Sequence, residues 1–358
     1  MERIQVAVVM GGESGEREIS LLSGEAVSAA LDRSRFDVRP VVVAAQGRWL
    51  VGRRGLRAGE EFDSGNFPFE AGSPAASVRR LAELGTEVVF LALHGPRGED
   101  GLVQGLLEME RLAYTGPGVL ASALAMDKGL ARVVLRAAGI PVPEGFEETS
   151  ARYRRAPEEV LERIGQAVGY PCFVKPLAQG SSLGVSRLPD PSGAKAAIEE
   201  ALSFGARVLV ERAVEGPEVT CAVLGNHLEE DLLALPLVEI VPTRDGFFTM
   251  REKYRTDGAE EYCPPRSVPA DVVAAVREIA TAAHRALRCD GMSRTDVRVS
   301  PDGTPFVLEV NTIPGLTERS LLPKAAGVAG IPFHELCARL VDLARRRFAA
   351  ESAHARPA

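Results

Sequence analysis

"RTDVRVSPDGTPFVLEVN", residues 294–311, decides how the last third of this chain folds. Asp302-Gly303 is a strong two-residue turn signal between two valine-containing runs. A hairpin closed there sets Pro301 opposite Thr304, and counting back along both strands sets Asp296 opposite Glu309. Asn311, two residues further, shares the face of Glu309. Like charges directly across a sheet repel. Two carboxylates and an amide carbonyl on one face are hard oxygen donors, the kind Mg²⁺ takes together with phosphate oxygens and water. A solvated acidic sheet face gives the same pattern, and a register shifted by one residue sends Asp296 to the other side.

A second stretch, "PCFVKPLAQGSSLGVSRL" (171–188), runs from an apolar strand through a lone lysine into a small-residue loop. Gly180 and Gly184 let main chain approach an anion closely, and successive N–H groups there can form a nest. Lys175 sits just before the loop, and Lys128 begins a helix in "AMDKGL". An ordinary hairpin turn fits the same residues. The spacing is not that of a P-loop, G-x-x-x-x-G-K-[ST].

The N-terminal "VVMGGESGERE" has glycines at 11, 12 and 15, so it is not the dinucleotide fingerprint G-x-G-x-x-G. Glu16 and Glu18 also stand where a pyrophosphate would meet the helix N-terminus. An acid there welcomes an ammonium; simple complementarity to the helix dipole accounts for it equally.

Composition bounds the rest. A chain of 358 residues with 46% apolar content can build two or three cores. Its net charge of −7 leaves no basic footprint for nucleic acid, so an anionic substrate needs local lysines and arginines. The five cysteines are scattered and never spaced C-x-x-C, which argues against a disulfide framework or a zinc site and suits a reducing cytoplasm. Apolar runs are strand-sized, and the start shows no export signal.

Strand–helix alternation through the first third predicts a parallel sheet. IQVAVVM, FDVRPVVVA and EVVFLALHG read as strands. REISLLSGEAVSAAL reads as an amphipathic helix with Ile19, Leu22, Ala26 and Ala29 on one face. A small hairpin and an insertion are expected from Gly47 to Ser77. The chain divides into an N-terminal α/β substrate domain (1–117), a central α+β segment with the glycine loop (118–210), a C-terminal segment with the oxygen-rich hairpin and a long polar loop (211–349), and a frayed tail (350–358). That polar excursion, "PTRDGFFTMREKYRTDGAEEYCPP", is too long for an idle connection.

Taken in order, GGESGEREIS, ALHGPRGEDG, YTGPGVLASALAMDK, FVKPLAQGSSLGVS, ERAVEGPEVTCAVLG, REKY, SRTDV and LEVNTIPGLTERSLLP resemble the ATP-grasp superfamily and, within it, the D-alanine–D-alanine ligase family. The resemblance implies an ATP-grasp fold of mixed α/β and α+β class, three domains with a parallel-sheet pre-ATP-grasp domain first. It implies ATP-dependent joining of two D-alanines through a D-alanyl phosphate for peptidoglycan precursors, with two Mg²⁺ (or Mn²⁺), in a cytoplasmic homodimer.

Its motifs assign Lys128 and Lys175 to the phosphates, with Gly180, Ser182 and Gly184 closing over them. Glu211, Arg212, Ala213 and Val214 form an adenine hinge, and Glu218 holds the ribose. Asp296, Glu309 and Asn311 hold metal. Glu16 takes the first ammonium and His94 lies near that substrate's carboxylate. Ser181 and Tyr254 join Glu16 in a triad. Arg294 and the Gly315 N–H form an oxyanion hole, and Lys253, Ser320 and Leu321 contact the second D-alanine. Arg212 stands where lysine is frequent in the family, and Ser293 where glycine is usual.

Overall fold

The computed structural model describes residues 2–52, 72–177, 184–242 and 259–354. Strands β1 (Ile4–Gly11), β2 (Phe36–Val43), β3 (Trp49–Val51), β4 (Val88–Leu91) and β5 (Ala113–Tyr114) form one sheet in the order β3-β2-β1-β4-β5. All its pairings are parallel except that of edge strand β3 with β2. The apolar, β-branched runs of β1, β2 and β4 are buried on both faces, as a covered parallel sheet requires.

Helix α1 (Arg17–Ala30) packs on β1 by a face other than the expected one. It buries Ser20, Ser23, Gly24 and Val27, while Leu22 is exposed. The reason is closeness: a Cβ on Gly24 would overlap the Met10 side chain, so only small residues fit. Ser20 stitches the contact, accepting from Gly11 N–H (2.8 Å) and donating to Ala92 C=O (2.6 Å). Helices α2 (Pro74–Glu83) and α3 (Leu102–Met109) pack on each other and against β3 and β5 respectively.

A second, antiparallel sheet has the order β6-β9-β7-β8, from β6 (Gly145–Thr149), β7 (Cys172–Pro176), β8 (Ser186–Leu188) and β9 (Arg207–Arg212). Helices α6 (Ser150–Arg155), α7 (Pro157–Ala167) and α8 (Ala194–Ser203) share its core. The third sheet runs β13-β12-β10-β14-β15 with short β11 (Leu233–Ala234) beside β10. Its other strands are β10 (Glu218–Leu224), β12 (Val238–Pro242), β13 (Ala259–Tyr262), β14 (Met292–Val299) and β15 (Pro305–Asn311).

One face of this third sheet (Val219, Cys221, Val223, Val297, Val307) packs on α9 (Ala270–Ala286). Helices α4 (Val119–Met126) and α5 (Lys128–Ala137) pack there too, although the sequence division groups them with the second sheet. The opposite face is apolar at one end, where Ala222, Leu224 and Met292 join the core of the first sheet. At its other end it is charged.

Helix α10 (Leu321–Val328) and α11 (Phe333–His354) close the chain. The expected frayed tail is helical to His354, since no proline intervenes before Pro357 and Arg347 and Glu351 are spaced i,i+4 (3.9 Å). Arg347 also ties the layers together, donating to the carbonyls of Gly116 (2.6 Å) and Tyr114 (3.1 Å) and lying 3.7 Å from Asp290.

His284, wholly buried on α9, is bonded to Ser293 Oγ (2.7 Å) and Gly225 C=O (3.2 Å). Burial pushes its pKa down to about 4. The unfolded chain binds this proton more readily, so stability rises with pH across the window from about 4 to 6.5. Acidification through that window should cost up to about 3 kcal/mol from this group. Urea unfolding at several pH values should show this slope in the native chain and a flatter one in His284→Gln.

Candidate active site

The site grows from the β14–β15 ribbon, whose register differs from the simple count in an instructive way. Near the turn Val299 pairs Pro305 and Val297 pairs Val307, one residue off the expected alignment. A β-bulge then inserts Leu308, and Asp296 faces Glu309 while Arg294 faces Asn311. Without the bulge Glu309 would face the α9 core, so this irregularity puts both acids on the charged face.

Their repulsion is compensated on the spot. Arg294 grips Asp296 with two parallel bonds, Nε to Oδ1 and Nη2 to Oδ2, each 2.8 Å. Asn311 Nδ2 donates to Asp296 Oδ2 (3.0 Å). Lys128 Nζ lies 3.2 Å from Glu309 Oε2. On the neighbouring strand Glu218 accepts from Arg298 Nε (3.2 Å) and Nη2 (2.9 Å). Thr220, directly across from Asp296, adds a buried hydroxyl to this face. Among the described residues no three His, Cys, Asp or Glu side chains form a metal cluster. The donor set here is two carboxylates and one amide, and its chemistry fits Mg²⁺ that draws its other ligands from phosphate and water.

Lys128 is presented by the start of α5. Asp127 caps that helix, its carboxylate accepting from Leu130 N–H (3.0 Å), and Arg207 holds the same carboxylate. Lys175 projects from β7 on the same side as Glu211 of β9. Glu211 is 1% exposed and bonded to both Lys175 and Arg132 Nη1, the latter at 2.5 Å. Its side chain therefore anchors Lys175, a role that the expected adenine hinge did not contain. Arg132, itself buried, went unnoticed in the sequence because nothing there distinguishes it from a surface arginine of an amphipathic helix.

Other hinge positions separate. Arg212 turns to the outer face, 3.2 Å from Glu144 and bonded to Val168 C=O (3.4 Å). Ala213 N–H is taken by Pro171 C=O (3.0 Å). Gly184 is left-handed (φ 67°), and a Cβ there would lie 2.6 Å from the Phe204 ring, so a side chain meets both backbone strain and a close neighbour. Gly180, Ser181, Ser182, Lys253 and Tyr254 lie outside the described residues.

Glu16 and His94 meet at the first sheet, between β1 and β4. There the connections leave in opposite directions, the crevice where open α/β sheets bind ligands. Ser14 Oγ accepts from Glu16 N–H (3.2 Å) and donates to His94 C=O (2.8 Å), fixing one loop on the other. His94 Nδ1 is 3.1 Å from the Ile313 carbonyl, which can only accept, so Nδ1 carries the proton. Nε2 then accepts from Ser23 Oγ (3.2 Å), and Ser23 Oγ accepts from Leu316 N–H (3.4 Å). Burial pushes the His94 pKa down, against the opposing charge of Glu16, so the ring is neutral. The segment after Asn311 is thus held against the first sheet, and it delivers Gly315 to the site. A Cβ on Gly315 would lie 2.9 Å from Ser320 Oγ. Ser320 precedes α10, which begins at Leu321, and its Oγ accepts from Thr317 N–H (3.1 Å).

A largely parallel sheet ahead of two antiparallel sheets, with a helix-borne lysine set against a carboxylate–amide face, is the architecture of the ATP-grasp class. The D-ala D-ala ligase N-terminus family matches residues 5–117, and the D-ala D-ala ligase C-terminus family matches 134–342. The D-alanine–D-alanine ligase of Desulforudis audaxviator is 42% identical over 344 residues, covering 96% of this chain and 99% of its own. The VanG D-Ala:D-Ser ligase of Enterococcus faecalis superposes with a TM-score of 0.80 at 31% identity, over 96% of this chain and all of its own. The D-alanine–D-alanine ligase of Bacillus anthracis, solved with ATP, superposes with a TM-score of 0.74 at 28% identity, over 98% of this chain and 100% of its own. The chain belongs to the D-alanine–D-alanine ligase family.

Glu211→Gln should leave buried Arg132 uncompensated and lower stability by about 3 kcal/mol, with a raised KM for ATP as Lys175 loses its anchor. Arg212→Ala should change neither by more than about twofold, since an exposed pair contributes little. Urea unfolding and steady-state kinetics check both.

Proposed function

We propose that the chain joins two D-alanine molecules into D-alanyl-D-alanine, consuming ATP and releasing ADP and phosphate, for peptidoglycan precursors. The observation that supports this most is the charged ribbon face, where an arginine, two carboxylates and an amide lie beside Lys128. Arg294 compensates Asp296 and also brings a guanidinium to this face, where it can meet a developing oxyanion. The family names and the ATP complex of the Bacillus anthracis relative point the same way.

In this reading the first D-alanine sits in the crevice between β1 and β4, its ammonium on Glu16 and its carboxylate toward Arg294. Lys128 exchanges Glu309 for phosphate oxygens as the nucleotide enters, while Lys175 stays on Glu211 and offers its remaining N–H groups to the phosphates. Asp296, Glu309 and Asn311 would hold two Mg²⁺ (or Mn²⁺), which supply charge neutralisation at the phosphates. The D-alanine carboxylate attacks the γ-phosphorus, the bond to the β-phosphate oxygen breaks, and ADP leaves with a D-alanyl phosphate remaining. The free amine of the second D-alanine then attacks the acyl carbon. Arg294 and the Gly315 N–H stabilise the oxyanion, and phosphate departs as the amide forms.

Ser181 and Tyr254 complete a triad with Glu16, while Lys253, Ser320 and Leu321 face the acceptor. Glu218 holds the ribose, and the Gly180–Gly184 loop covers the phosphates. The three-domain division at 117 and 210, a homodimer and a cytoplasmic location belong to the same reading. No helix among the described residues is long and apolar enough to cross a membrane.

The test is incubation with Mg-ATP and D-alanine, with D-serine and D-lactate as competing acceptors. ADP, phosphate and D-alanyl-D-alanine in equal amounts are expected; ADP without dipeptide, or a D-serine or D-lactate product in excess, contradicts the reading. Arg294→Ala should lower kcat by about a hundredfold or more with ATP affinity little changed, and near-native kcat would remove Arg294 from the oxyanion hole.

A further inference from the structure

Glu99 has no part in the scheme above, yet its carboxyl bridges the two halves of the site. It follows β4 in the turn His94-Gly95-Pro96-Arg97-Gly98-Glu99. Gly98 N–H and Glu99 N–H both donate to Gly95 C=O, each at 3.0 Å, which closes the turn. Gly95 is left-handed (φ 74°), and a Cβ there would stand 2.9 Å from Glu16 Oε2, so this turn is the wall of the Glu16 subsite. Glu99 Oε2 accepts from Gly95 N–H at 2.6 Å, folding the carboxyl back onto that wall. Its other oxygen, Oε1, accepts from Ile313 N–H at 3.3 Å. Ile313 lies midway between Asn311 of the metal face and Gly315 of the oxyanion hole. One side chain therefore spans two loops 214 residues apart in sequence.

We infer that Glu99 is a positioning residue for the ligation chemistry: by clamping Gly95 and Ile313 together it sets the Gly315 N–H relative to the substrate held at Glu16. This rests on the function proposed above. The surroundings suit the task. Burial, reinforced by the neighbouring charge of Glu16 and opposed by the Gly95 and Ile313 N–H bonds and by Arg294, pushes the Glu99 carboxyl up to about 8. At neutral pH this favours the uncharged carboxyl. His94, the other facing titratable group, is neutral and holds the Ile313 carbonyl while Glu99 holds the Ile313 N–H. Both polar backbone groups of Ile313, one in each of its flanking peptide units, are thus held.

The test compares Glu99→Asp, too short to reach both N–H groups, with Glu99→Gln, which keeps the length and one carbonyl acceptor. Glu99→Asp is expected to lower kcat by about tenfold to a hundredfold, the cost of a misplaced reacting group, and to raise the first D-alanine KM. KM for ATP should stay within about twofold, since no ATP contact moves. Glu99→Gln is expected to lie closer to the native chain than Glu99→Asp. Native kcat in Glu99→Asp, or equal damage in both variants, overturns the inference; so does a change in ATP KM as large as that in kcat. Amide hydrogen exchange over residues 312–317 gives a reading independent of turnover. It should speed up in Glu99→Asp, and unchanged exchange contradicts the clamp. Should the native chain make no dipeptide, the proposed function fails while the exchange result still decides whether Glu99 clamps the loop.

Discussion

Asp296 and Glu309 face each other across adjacent strands, and holding these two negative charges together is the constraint around which the rest of the molecule is arranged. Each acid has its own cation, Arg294 for Asp296 and Lys128 for Glu309, and the two cations come from different parts of the fold. Arg294 lies on the same strand as its partner, two residues away, so it follows the ribbon wherever it goes. Lys128 arrives from the start of α5, which packs on the far side of the same sheet. The acid face is therefore preassembled with compensating charge, and in the proposed function an incoming nucleotide would exchange partners rather than create the site from nothing. Preorganised charge of this kind avoids reorganisation during reaction.

The same logic repeats one sheet away. Glu211 is shared by Arg132 and Lys175, with the buried arginine holding the carboxylate so that the carboxylate can hold the lysine. Around the first substrate, neutral groups do the positioning: Ser23, His94 and Glu99 all bond to the backbone of the segment leaving β15. Charged pairs thus mark where phosphate and metal chemistry is expected, and uncharged bridges mark where a backbone N–H has to be placed. Arg347 on the closing helix adds a mechanical link between the first and third sheets, well away from the chemistry.

Much of this was legible in the sequence, for identifiable reasons. Strands β1, β2 and β4 follow from apolar runs, because burial on a parallel sheet leaves few alternatives. The pairing of Asp296 with Glu309 was read from the Asp302-Gly303 turn, but the route was different: the turn shifts the register by one and the bulge at Leu308 restores it. No local signal announces such a bulge. The buried face of α1 was missed because its periodic apolar residues are not the ones that fit beneath Met10; steric closeness at Gly24 overrode hydrophobic pattern. Helices α6 and α7 have clear starts, a Thr149 cap bonded to Arg152 N–H and Pro157 with Glu158 and Glu159 in the first turn, yet their weak apolar content hid them. Glu99 and Arg132 were illegible for a further reason: their partners, Ile313 and Glu211, are distant in sequence, and only the assembled fold shows that a titratable side chain is enclosed.

The central claim is that the acid face of the ribbon holds divalent metal against a nucleotide. Mn²⁺ titration followed by electron paramagnetic resonance, with a non-hydrolysable ATP analogue present, tests it directly. The native chain should take up two nucleotide-dependent Mn²⁺ ions, and Asp296→Asn combined with Glu309→Gln should lose them while remaining folded by circular dichroism. Equal Mn²⁺ uptake by the folded double variant would contradict the account.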